Sequence, residues 1–308
     1  MNKLNFSNPA NASLLSIIIP VYKDLAGLSD TIGSIKACHG VPGFELEIIV
    51  VNDGADPDIS QFCRTEKLVE VSINPNRGSY FARNRGIECS HGSLIGFVDA
   101  DIFVDRQWIV NAVQKLDTHD YVGGSIQVIR EGVSETVADY QQLIDFNTRW
   151  HMSSIHYAPT ANVWVRRSLL EKLGGFEESL FSGGDMEMGR RVYDEGSLQQ
   201  TYADEVVVRH PPRDLKGLFA KSKRLAYGHN VIGNASKLQS EFTLIQSVKR
   251  NLSKGDDSRK LPILVNILRV TLYAHRLLFK VYYKHFLKDA EFQTVVNGTT
   301  KVDMHDYR

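Results

Sequence analysis

The sequence has few cysteines and no long hydrophobic run, and both shortages exclude whole classes of protein. Cys38, Cys63 and Cys89 are the three cysteines among 308 residues, and their spacing fits neither a disulfide framework nor a zinc site. So few cysteines favour a reducing compartment. No stretch reaches the roughly 18 uncharged apolar residues of a transmembrane helix, so none is expected. Residues 1–20 lack a basic region followed by an apolar run, so we also expect no secretory signal.

The chain also lacks a net charge, but its charges are unevenly distributed. Lys and Arg number 36, and so do Asp and Glu. Residues 213–288 contain 16 basic and 4 acidic residues, a net charge of +12, which leaves −12 for the rest of the chain. A basic segment of this kind favours an anionic partner. Hydrophobic residues make up 43% of the chain and charged residues 23%, which excludes disorder for most of it.

Short β-branched runs alternate with helical patterns in the first third of the chain. The predicted elements there are strands over 16–21, 45–51, 68–71 and 94–98 and helices over 24–38, 79–89 and 107–116. This alternation is typical of βαβ units and predicts an α/β fold with a mostly parallel central sheet. After Tyr121 it loosens, with predicted helices over 136–150, 168–173 and 185–195, a strand over 200–209, and helices from 215 onward.

Polar side chains follow three of the predicted strands. Tyr22, Asp53 and the segment 99–101 each lie just beyond a strand end. Because ligands bind at the carboxyl ends of parallel strands, these positions define one candidate crevice. Asp53 can accept hydrogen bonds from a nucleobase or a ribose there, although an Asp before a Gly is equally typical of a turn.

Asp99-Ala-Asp101 is the sharpest local motif. In an extended chain the side chains at i and i+2 point the same way, so both carboxylates could face one divalent cation. Mg²⁺ and Mn²⁺ favour such oxygen ligands together with substrate phosphates. An isolated Asp-x-Asp is also typical of a solvated acidic turn.

Three further features have both a functional and a structural interpretation. The segment 76–86 joins a glycine loop to a helix start and carries arginines, which favours phosphate or a solvated basic helix face. Asp185 begins a predicted helix, where it could be a general base or a helix cap. His210 follows a strand and could bind a metal or be structural.

The order of the motifs is more informative than any one of them. They are Ile17-Ile-Ile-Pro-Val-Tyr22, Ile48-Ile-Val-Val-Asn-Asp-Gly54, Asn76-Arg-Gly78, Ala82-Arg-Asn-Arg-Gly86, Phe97-Val-Asp-Ala-Asp101, Thr160-Ala-Asn162, Gly174-Gly-Phe176 and Gly184-Asp185, followed by Arg191 and Gly196. Over about residues 14–212, this succession resembles the family 2 glycosyltransferases of the GT-A fold. The resemblance implies a Rossmann-like α/β/α sandwich and an inverting sugar transfer from a nucleotide sugar, most often a UDP-sugar.

The resemblance also implies a role for each matched residue. Asp53 would recognise the base, and the remaining donor-binding positions would be Pro20, Val21, Tyr22, Arg77, Gly78, Arg83, Asp99 and Ala100. Asp101 would bind Mn²⁺ or Mg²⁺ bridging the diphosphate, with Asp99 on the ribose or on metal-bound water and His210 as a third ligand. Asp185 would be the catalytic base. The acceptor and sugar pocket would include Asn162, Gly183, Gly184 and Glu187.

One departure from the family pattern lies beside the expected base. Relatives usually carry Glu directly before the catalytic Asp, and this chain has Gly184. The loss of a neighbouring carboxylate removes a like-charge repulsion that would raise the pKa of the Asp. We expect activity to survive but acceptor handling to differ.

The chain is expected to divide into a catalytic domain over 1–212 and a basic, mostly helical extension over 213–308. In the stretch 261–286, Arg269, Arg276, Lys280 and Lys284 fall within about 80° of one another at 100° per residue. Such a helix, extended to 288, could lie on an anionic membrane surface or pack on the catalytic domain with a solvated basic stripe. The basic segment could also hold a lipid-linked acceptor. No recognisable module supports nucleic-acid binding.

These observations favour a cytoplasmic or membrane-peripheral glycosyltransferase that uses a carbohydrate or lipid-linked acceptor in cell-surface polysaccharide or glycolipid synthesis. Two alternatives remain open at this point. One is a non-catalytic donor-binding or assembly subunit, supported by Gly184. The other is a sugar-phosphate nucleotidyltransferase, whose Gly-rich, Arg-containing N-terminal loop is replaced here by Pro20-Val-Tyr-Lys23.

Overall fold

The computed structural model describes residues 11–180, 182–235 and 262–286. The chain splits into two compact units. The first contains the described residues of 1–130, 141–178 and 184–211, and the second contains those of 131–140, 179–183 and 212–308. The expected boundary between residues 212 and 213 stays a prediction.

The first unit is built on an eight-stranded sheet. Its strands are β1 (Asn11–Val21), β2 (Glu45–Asp53), β3 (Val69–Ile73), β4 (Gly92–Phe97), β5 (Phe103–Val104), β6 (Tyr121–Val128), β7 (Val163–Arg166) and β8 (Gln200–His210). They are arranged in the order β3-β2-β1-β4-β7-β6-β8-β5. Four neighbouring pairs are parallel and the three pairs β4–β7, β6–β7 and β5–β8 are antiparallel. The predicted α/β fold with a mostly parallel sheet is confirmed.

The helices follow the predicted alternation with two differences. They are α1 (Leu25–Lys36), α2 (Pro57–Glu66), α3 (Ser79–Cys89), α4 (Trp108–Leu116), α5 (Glu135–Tyr140), α6 (Thr148–Ile155), α7 (Arg167–Leu173), α8 (Gly184–Glu195), α9 (Leu215–Ala235) and α10 (Ile263–Phe286). Helix α2 was not predicted. The helix predicted over 136–150 is broken, because a π-helical turn over Gln141–Asp145 follows α5 and Asn147 then caps α6 with a hydrogen bond from the Trp150 amide.

The central strands are buried on both faces. Ile17, Ile18, Ile49 and Val50 are fully buried, which is why β1 and β2 are continuous hydrophobic runs instead of alternating ones. Helix α3 lies close against these strands at Gly86, where a Cβ atom would come within 2.4 Å of an Ile18 methyl carbon. Glycine is therefore required there for the helix to approach the sheet.

Most of the described part of the second unit is helical. Helices α9 and α10 pack together, and the Ser222 hydroxyl donates to the Leu272 carbonyl across that contact at 2.9 Å. Phe219 and His275 add an edge-to-face ring contact, with centroids 4.9 Å apart. Among the helices of the described ranges, none combines the length and apolar character required to cross a bilayer.

Candidate active site

The residues of the predicted crevice follow the ends of β1, β2 and β4, at one end of the sheet. These strands run parallel, with Val21 opposite Asn52 and Ile18 opposite Phe97. The side chains that follow their ends therefore meet at the same end of the sheet. Tyr22 lies against Gly54 there, since a Cβ atom on Gly54 would come within 2.7 Å of the tyrosine ring. Pro20 and Tyr22 are half-buried and Val21 is buried.

Asp53 anchors the loop that leads into α3. Its carboxylate accepts hydrogen bonds from the Arg77 amide at 2.7 Å, the Gly78 amide at 2.8 Å and the Asn76 side chain at 3.0 Å. A carboxylate has about four acceptor positions, so room for one more donor remains. Burial raises the pKa of Asp53 to about 6, although the hydrogen bonds from Arg77 and Gly78 act in the opposite direction.

We expect Asp53→Asn to destabilise the protein and to change its pH dependence. An asparagine would turn one of its polar atoms towards N–H donors, which costs about 1–3 kcal/mol of unfolding free energy. Because burial raises the pKa of Asp53 in the folded state, its contribution is present below the unfolded pKa and is lost as the pH rises through about 6. Melting curves from pH 4 to 8 should show a steeper decline in the wild type than in the variant, which retains only the contribution of other groups such as Asp185. An identical pH profile for both proteins would contradict this role.

The segment 99–101 is held in place from two sides. The Thr31 hydroxyl donates to the Ile102 carbonyl at 2.8 Å and accepts from the Ile102 amide at 3.0 Å. Gly27 allows α1 to approach the Ala100 carbonyl, which would lie 2.8 Å from a Cβ atom there. Asp99 is paired with Arg83, whose Nη2 lies 2.5 Å from Asp99 Oδ1.

Arg83 is almost fully buried, and this changes its expected role. Its side chain is 3% exposed, and Nη1 donates to the Ser79 carbonyl at 3.4 Å while Nη2 binds Asp99. Within the described part of the chain, its Nε has no hydrogen-bond acceptor. Arg83 therefore fixes Asp99, while direct contact with a donor phosphate stays a proposal. Arg77 is exposed and lies over the Phe81 ring, 4.4 Å from its centroid.

The carboxylates of this segment suit a divalent cation by their chemistry. Mg²⁺ and Mn²⁺ are usually held by one or two carboxylates together with water and substrate phosphates. Asp99 and Asp101 supply that kind of donor set. In the described ranges, no three His, Cys, Asp or Glu side chains come together in a way that could hold a metal. His210 therefore does not complete a three-residue cluster with these two aspartates.

Asp185 lies in the first turn of α8 and contacts α3. The Tyr80 hydroxyl donates to Asp185 Oδ1 at 3.3 Å. The surrounding protein raises the pKa of Asp185 by desolvating the carboxylate. Its hydrogen bond from the Met186 amide, the charge of Arg83 and the Tyr80 hydroxyl all oppose this increase. A carboxylate with a raised pKa that stays partly exposed is suited to take up a proton.

Gly184 is explained by the same tyrosine. A Cβ atom on Gly184 would lie 2.8 to 2.9 Å from three carbon atoms of the Tyr80 ring. The ring occupies the space that the side chain of a larger residue would need. The expected absence of carboxylate repulsion does not leave Asp185 with an ordinary pKa, because burial raises it.

Several residues expected in the site have structural partners instead. Asn162 is fully buried, accepts from Trp108 Nε1 at 2.8 Å and donates to the Ser125 and Val206 carbonyls. Glu187 forms a bidentate ion pair with Arg191, at 2.8 and 2.9 Å. A role for either residue in the sugar pocket stays a proposal.

Two other expected site residues are described by their local geometry. His210 is buried, with Nδ1 2.5 Å from the Pro211 carbonyl oxygen and its ring against Phe146. Because a carbonyl only accepts, Nδ1 carries the proton in the neutral ring. Gly183 has a φ of +86°, a backbone conformation that favours glycine.

Sequence reasoning assigned no role to Tyr80 or Asn76. Tyr80 lies in the first turn of α3 and is buried, and α3 shows no amphipathic pattern that would assign its faces. Asn76 donates to both the backbone carbonyl and the carboxylate of Asp53. Its place in the loop after β3 was visible in the sequence, but its partner was not.

Comparisons with known proteins identify the family and the fold. The family model described as glycosyl transferase family 2 matches residues 16–174. Glycosyltransferase AglE of Haloferax volcanii is 29% identical over 221 residues, which is 70% of this chain and 72% of AglE. Against two other curated relatives, the chain spans 44% and 56% of their length.

Two solved structures share the fold. Mannosyltransferase PcManGT from Pyrobaculum calidifontis, in complex with GDP-Man and Mn²⁺, aligns with a TM-score of 0.56 at 17% identity, over 94% of this chain and 81% of that one. S. aureus TarS 1–349 in complex with UDP-GlcNAc aligns with a TM-score of 0.51 at 17% identity, over 88% and 91%. The expected GT-A fold is confirmed. Because the family model covers more than half of the sequence, this chain belongs to glycosyltransferase family 2.

Proposed function

We propose that the protein transfers a sugar from a nucleotide-diphosphate sugar to an acceptor hydroxyl with inversion at the anomeric carbon. The observation that carries this proposal is the convergence of two carboxylates on one face of α3. Asp99 binds Arg83, Asp185 binds Tyr80, and the charge of Arg83 also acts on Asp185. These contacts support the proposal that the site for the leaving diphosphate and the base for the acceptor are neighbours in this unit.

In this proposal each residue of the site has a separate role. Asp53 and the loop it anchors bind the nucleoside, and Asp101 with Asp99 holds a Mn²⁺ or Mg²⁺ ion. That ion would neutralise the charge that grows on the leaving diphosphate. Asp185 accepts the proton of the acceptor hydroxyl as its oxygen bonds to the anomeric carbon and the bond to the diphosphate breaks. One base is sufficient, since no covalent intermediate forms. His210 is not assigned to the ion, because within the described residues it forms no three-residue cluster with the two aspartates.

The proposed donor is a UDP-sugar. The acceptor is a carbohydrate or lipid-linked hydroxyl in cell-surface polysaccharide or glycolipid synthesis, on the cytoplasmic side. Support for a nucleotide-sugar donor comes from the fold shared with TarS and PcManGT, which bind UDP-GlcNAc and GDP-Man. Asn162, Gly183, Gly184 and Glu187 are the proposed surroundings of the acceptor and sugar.

The product's stereochemistry tests the proposed reaction. The protein is incubated with α-linked UDP-GlcNAc or GDP-mannose and Mn²⁺. Water then serves as the acceptor, so that the reaction measured is hydrolysis of the donor. Proton NMR then follows the anomeric signal of the sugar before mutarotation. We expect a β-anomer as the first product. A first product with retained α-configuration would exclude a single-base mechanism. In a separate assay, pyrophosphate release from a nucleoside triphosphate and a sugar 1-phosphate would identify a nucleotidyltransferase instead.

We also propose that the second unit binds an anionic membrane surface through α10. Five large apolar side chains of this helix are strongly exposed, from 57% to 78%: Ile263, Leu264, Ile267, Val270 and Leu278. At 100° per residue they occupy an arc of about 120°. Val265 and Leu272 are buried on the other side. Single exposed apolar residues are ordinary, but a continuous stripe marks an interaction surface.

The basic residues of α10 do not form a solvated stripe, which was one of the two expected arrangements. Arg269, Arg276 and Lys280 are each half-buried, and desolvation lowers the pKa of Arg269. The side chain of Lys284 lies outside the described residues. The expected solvated basic stripe is thus corrected, because the exposed face is apolar and these three cations lie on the opposite, half-buried side of the helix. An exposed apolar face on a basic helix is the feature that would enter a lipid surface.

Charge decides between lipid and a second copy of the chain as the occupant. The ranges 215–235 and 263–286 contain eight Lys and Arg residues and no Asp or Glu. Two such segments would repel each other in a dimer, whereas anionic headgroups supply the opposite charge. We therefore assign the apolar face of α10 to an anionic lipid surface.

Replacement of two exposed side chains tests this assignment. In flotation with vesicles of phosphatidylcholine and phosphatidylglycerol, Ile267→Glu combined with Leu278→Glu is expected to weaken binding roughly 100-fold, because two apolar side chains no longer enter the lipid. Leu46→Glu, at another exposed apolar position in the first unit, is the matched control and should bind as the wild type does. Unchanged binding of the double variant, or a wild-type dimer that the double substitution dissociates, would contradict the proposal.

A further inference from the structure

Tyr80 occupies the position from which a tyrosine can control the proposed base. It is almost fully buried in α3, and its hydroxyl lies 3.3 Å from Asp185 Oδ1. Its ring stacks against Phe176, with centroids 5.8 Å apart, and Phe176 packs edge-on against Phe97 of β4. The ring is therefore fixed by the sheet, and the hydroxyl can adopt few other positions.

Phe176 is itself held in place by α3. The Asn84 side chain donates to the Phe176 carbonyl at 2.8 Å and accepts from the Phe176 amide at 2.8 Å. Both polar atoms of the Asn84 amide are thus used to dock the 174–176 loop on the helix that carries Tyr80. The loop and the tyrosine form one packed unit beneath Asp185.

Gly184 completes the arrangement. Any side chain there would collide with the Tyr80 ring, whose nearest carbon lies 2.8 Å from the Cβ position. Glycine lets the ring pass beside the start of α8 and reach the carboxylate that follows. The residue before the base and the tyrosine on α3 therefore constrain each other, although they are far apart in sequence.

We infer that Tyr80 is a positioning residue for Asp185 and that Gly184 is present to admit it. This inference rests on the proposed function of Asp185 as the base. The hydroxyl stabilises the carboxylate in the orientation that faces the acceptor, and it takes the place of the acidic neighbour that this chain lacks. A hydrogen bond to a charged acceptor is stronger than one to a neutral acceptor, so its contribution depends on the ionisation of Asp185.

A pH-dependent double-mutant cycle on the full chain tests the pairing without any substrate. Tyr80→Phe removes the hydroxyl and keeps the ring. Its melting temperature should fall below that of the wild type by roughly 2–4 °C more at pH 8, where the carboxylate is charged, than at pH 4. In an Asp185→Asn background, the effect of Tyr80→Phe should be the same at both pH values. A pH-independent effect in both backgrounds would overturn the inference.

Two further variants separate positioning from packing. Gly184→Ala keeps the hydroxyl but must displace the ring, so we expect the same pH-dependent loss as in Tyr80→Phe, with little added when the two are combined. Tyr121→Phe is the matched control, because its buried hydroxyl binds the backbone of Ala158. Its effect on stability should not vary with pH. If Gly184→Ala leaves the pH profile unchanged, the glycine does not serve the tyrosine.

The pH profile of kcat distinguishes a positioning role of Tyr80 from a purely structural one, because a structural role would leave that profile unchanged. Because the Tyr80 hydroxyl lowers the pKa of Asp185, its removal should shift the acidic limb of the kcat profile to higher pH and lower kcat about tenfold. KM for the donor should change little. If the wild type transfers no sugar, the proposed function fails while the cycle still stands. If the wild type is active and the limb does not shift, the inference alone fails.

Discussion

Asp185→Asn is expected to lower sugar transfer by roughly 10³-fold or more while donor affinity changes less than about threefold. The substitution keeps the size of the side chain, and the amide oxygen can still accept from Tyr80. It removes the group that takes the acceptor proton. Asp185 is not expected to touch the nucleotide, so binding of the nucleotide with Mn²⁺ should persist.

The measurement pairs a transfer or hydrolysis assay with calorimetric titration of the nucleotide. Asp194→Asn is the matched control, since this exposed aspartate lies in the same helix as Asp185. It should leave both quantities unchanged. Equal losses of transfer and of nucleotide affinity in Asp185→Asn would contradict the assignment, because they would place Asp185 in the donor site.

The raised pKa of Asp185 also predicts the pH dependence of the reaction. A base works in its deprotonated form, and desolvation raises the pKa of this carboxyl in the folded protein. Activity should therefore decline, as the pH falls, at a higher pH than an ordinary aspartate would allow.

Asp101→Ala is expected to weaken metal-dependent nucleotide binding roughly 100-fold. The carboxylate is the proposed metal ligand, and without it the diphosphate loses its bridge to the protein. Nucleotide binding without metal should be weak in both proteins and should differ little between them. Calorimetric titration of the nucleotide with and without Mn²⁺ measures both quantities.

Variants of two other aspartates sharpen the comparison. Asp117→Ala removes an exposed carboxylate at the end of α4 and should have no effect on binding. Asp99→Ala should weaken binding and also lower the melting temperature, because it leaves the buried Arg83 guanidinium without its carboxylate partner. If Asp101→Ala retains the full effect of Mn²⁺, the metal lies elsewhere or does not contribute.

Much of the first unit could be predicted from local pattern. The central residues of β1, β2 and β4 are buried, so these strands appear as β-branched runs, and the polar residues after them mark their ends. The short strand β7 and the strand β6, which contains Gly123 and Gly124, were missed. Those glycines are required by close packing, since a Cβ on Gly124 would lie 2.2 Å from Asn162. Glycine has low strand propensity, so the pattern concealed the strand.

The predicted site residues could be named from the sequence, but their partners could not. The donor roles of Asp53 and Arg83 were expected from their place in the motifs, whereas the structure shows what each already binds within the protein. The hydrogen bond between Tyr80 and Asp185 joins residues 105 positions apart, and no local pattern indicates such a pair. The grouping of the basic residues on one side of α10 was likewise predictable from the helical repeat. Which side of the helix is buried depends on its packing against α9.

The central claim is that a metal-dependent nucleotide site lies at the carboxyl ends of β1, β2 and β4. Melting of the purified full chain with UDP, GDP, CDP or ADP, each with and without Mn²⁺, tests it without knowledge of the acceptor. One nucleotide, most of all UDP, should raise the melting temperature only with metal. A ligand at 100 times its Kd adds about 2.7 kcal/mol of stability, which such curves resolve readily. If no nucleotide shifts the melting temperature under either condition, the proposed donor site does not exist.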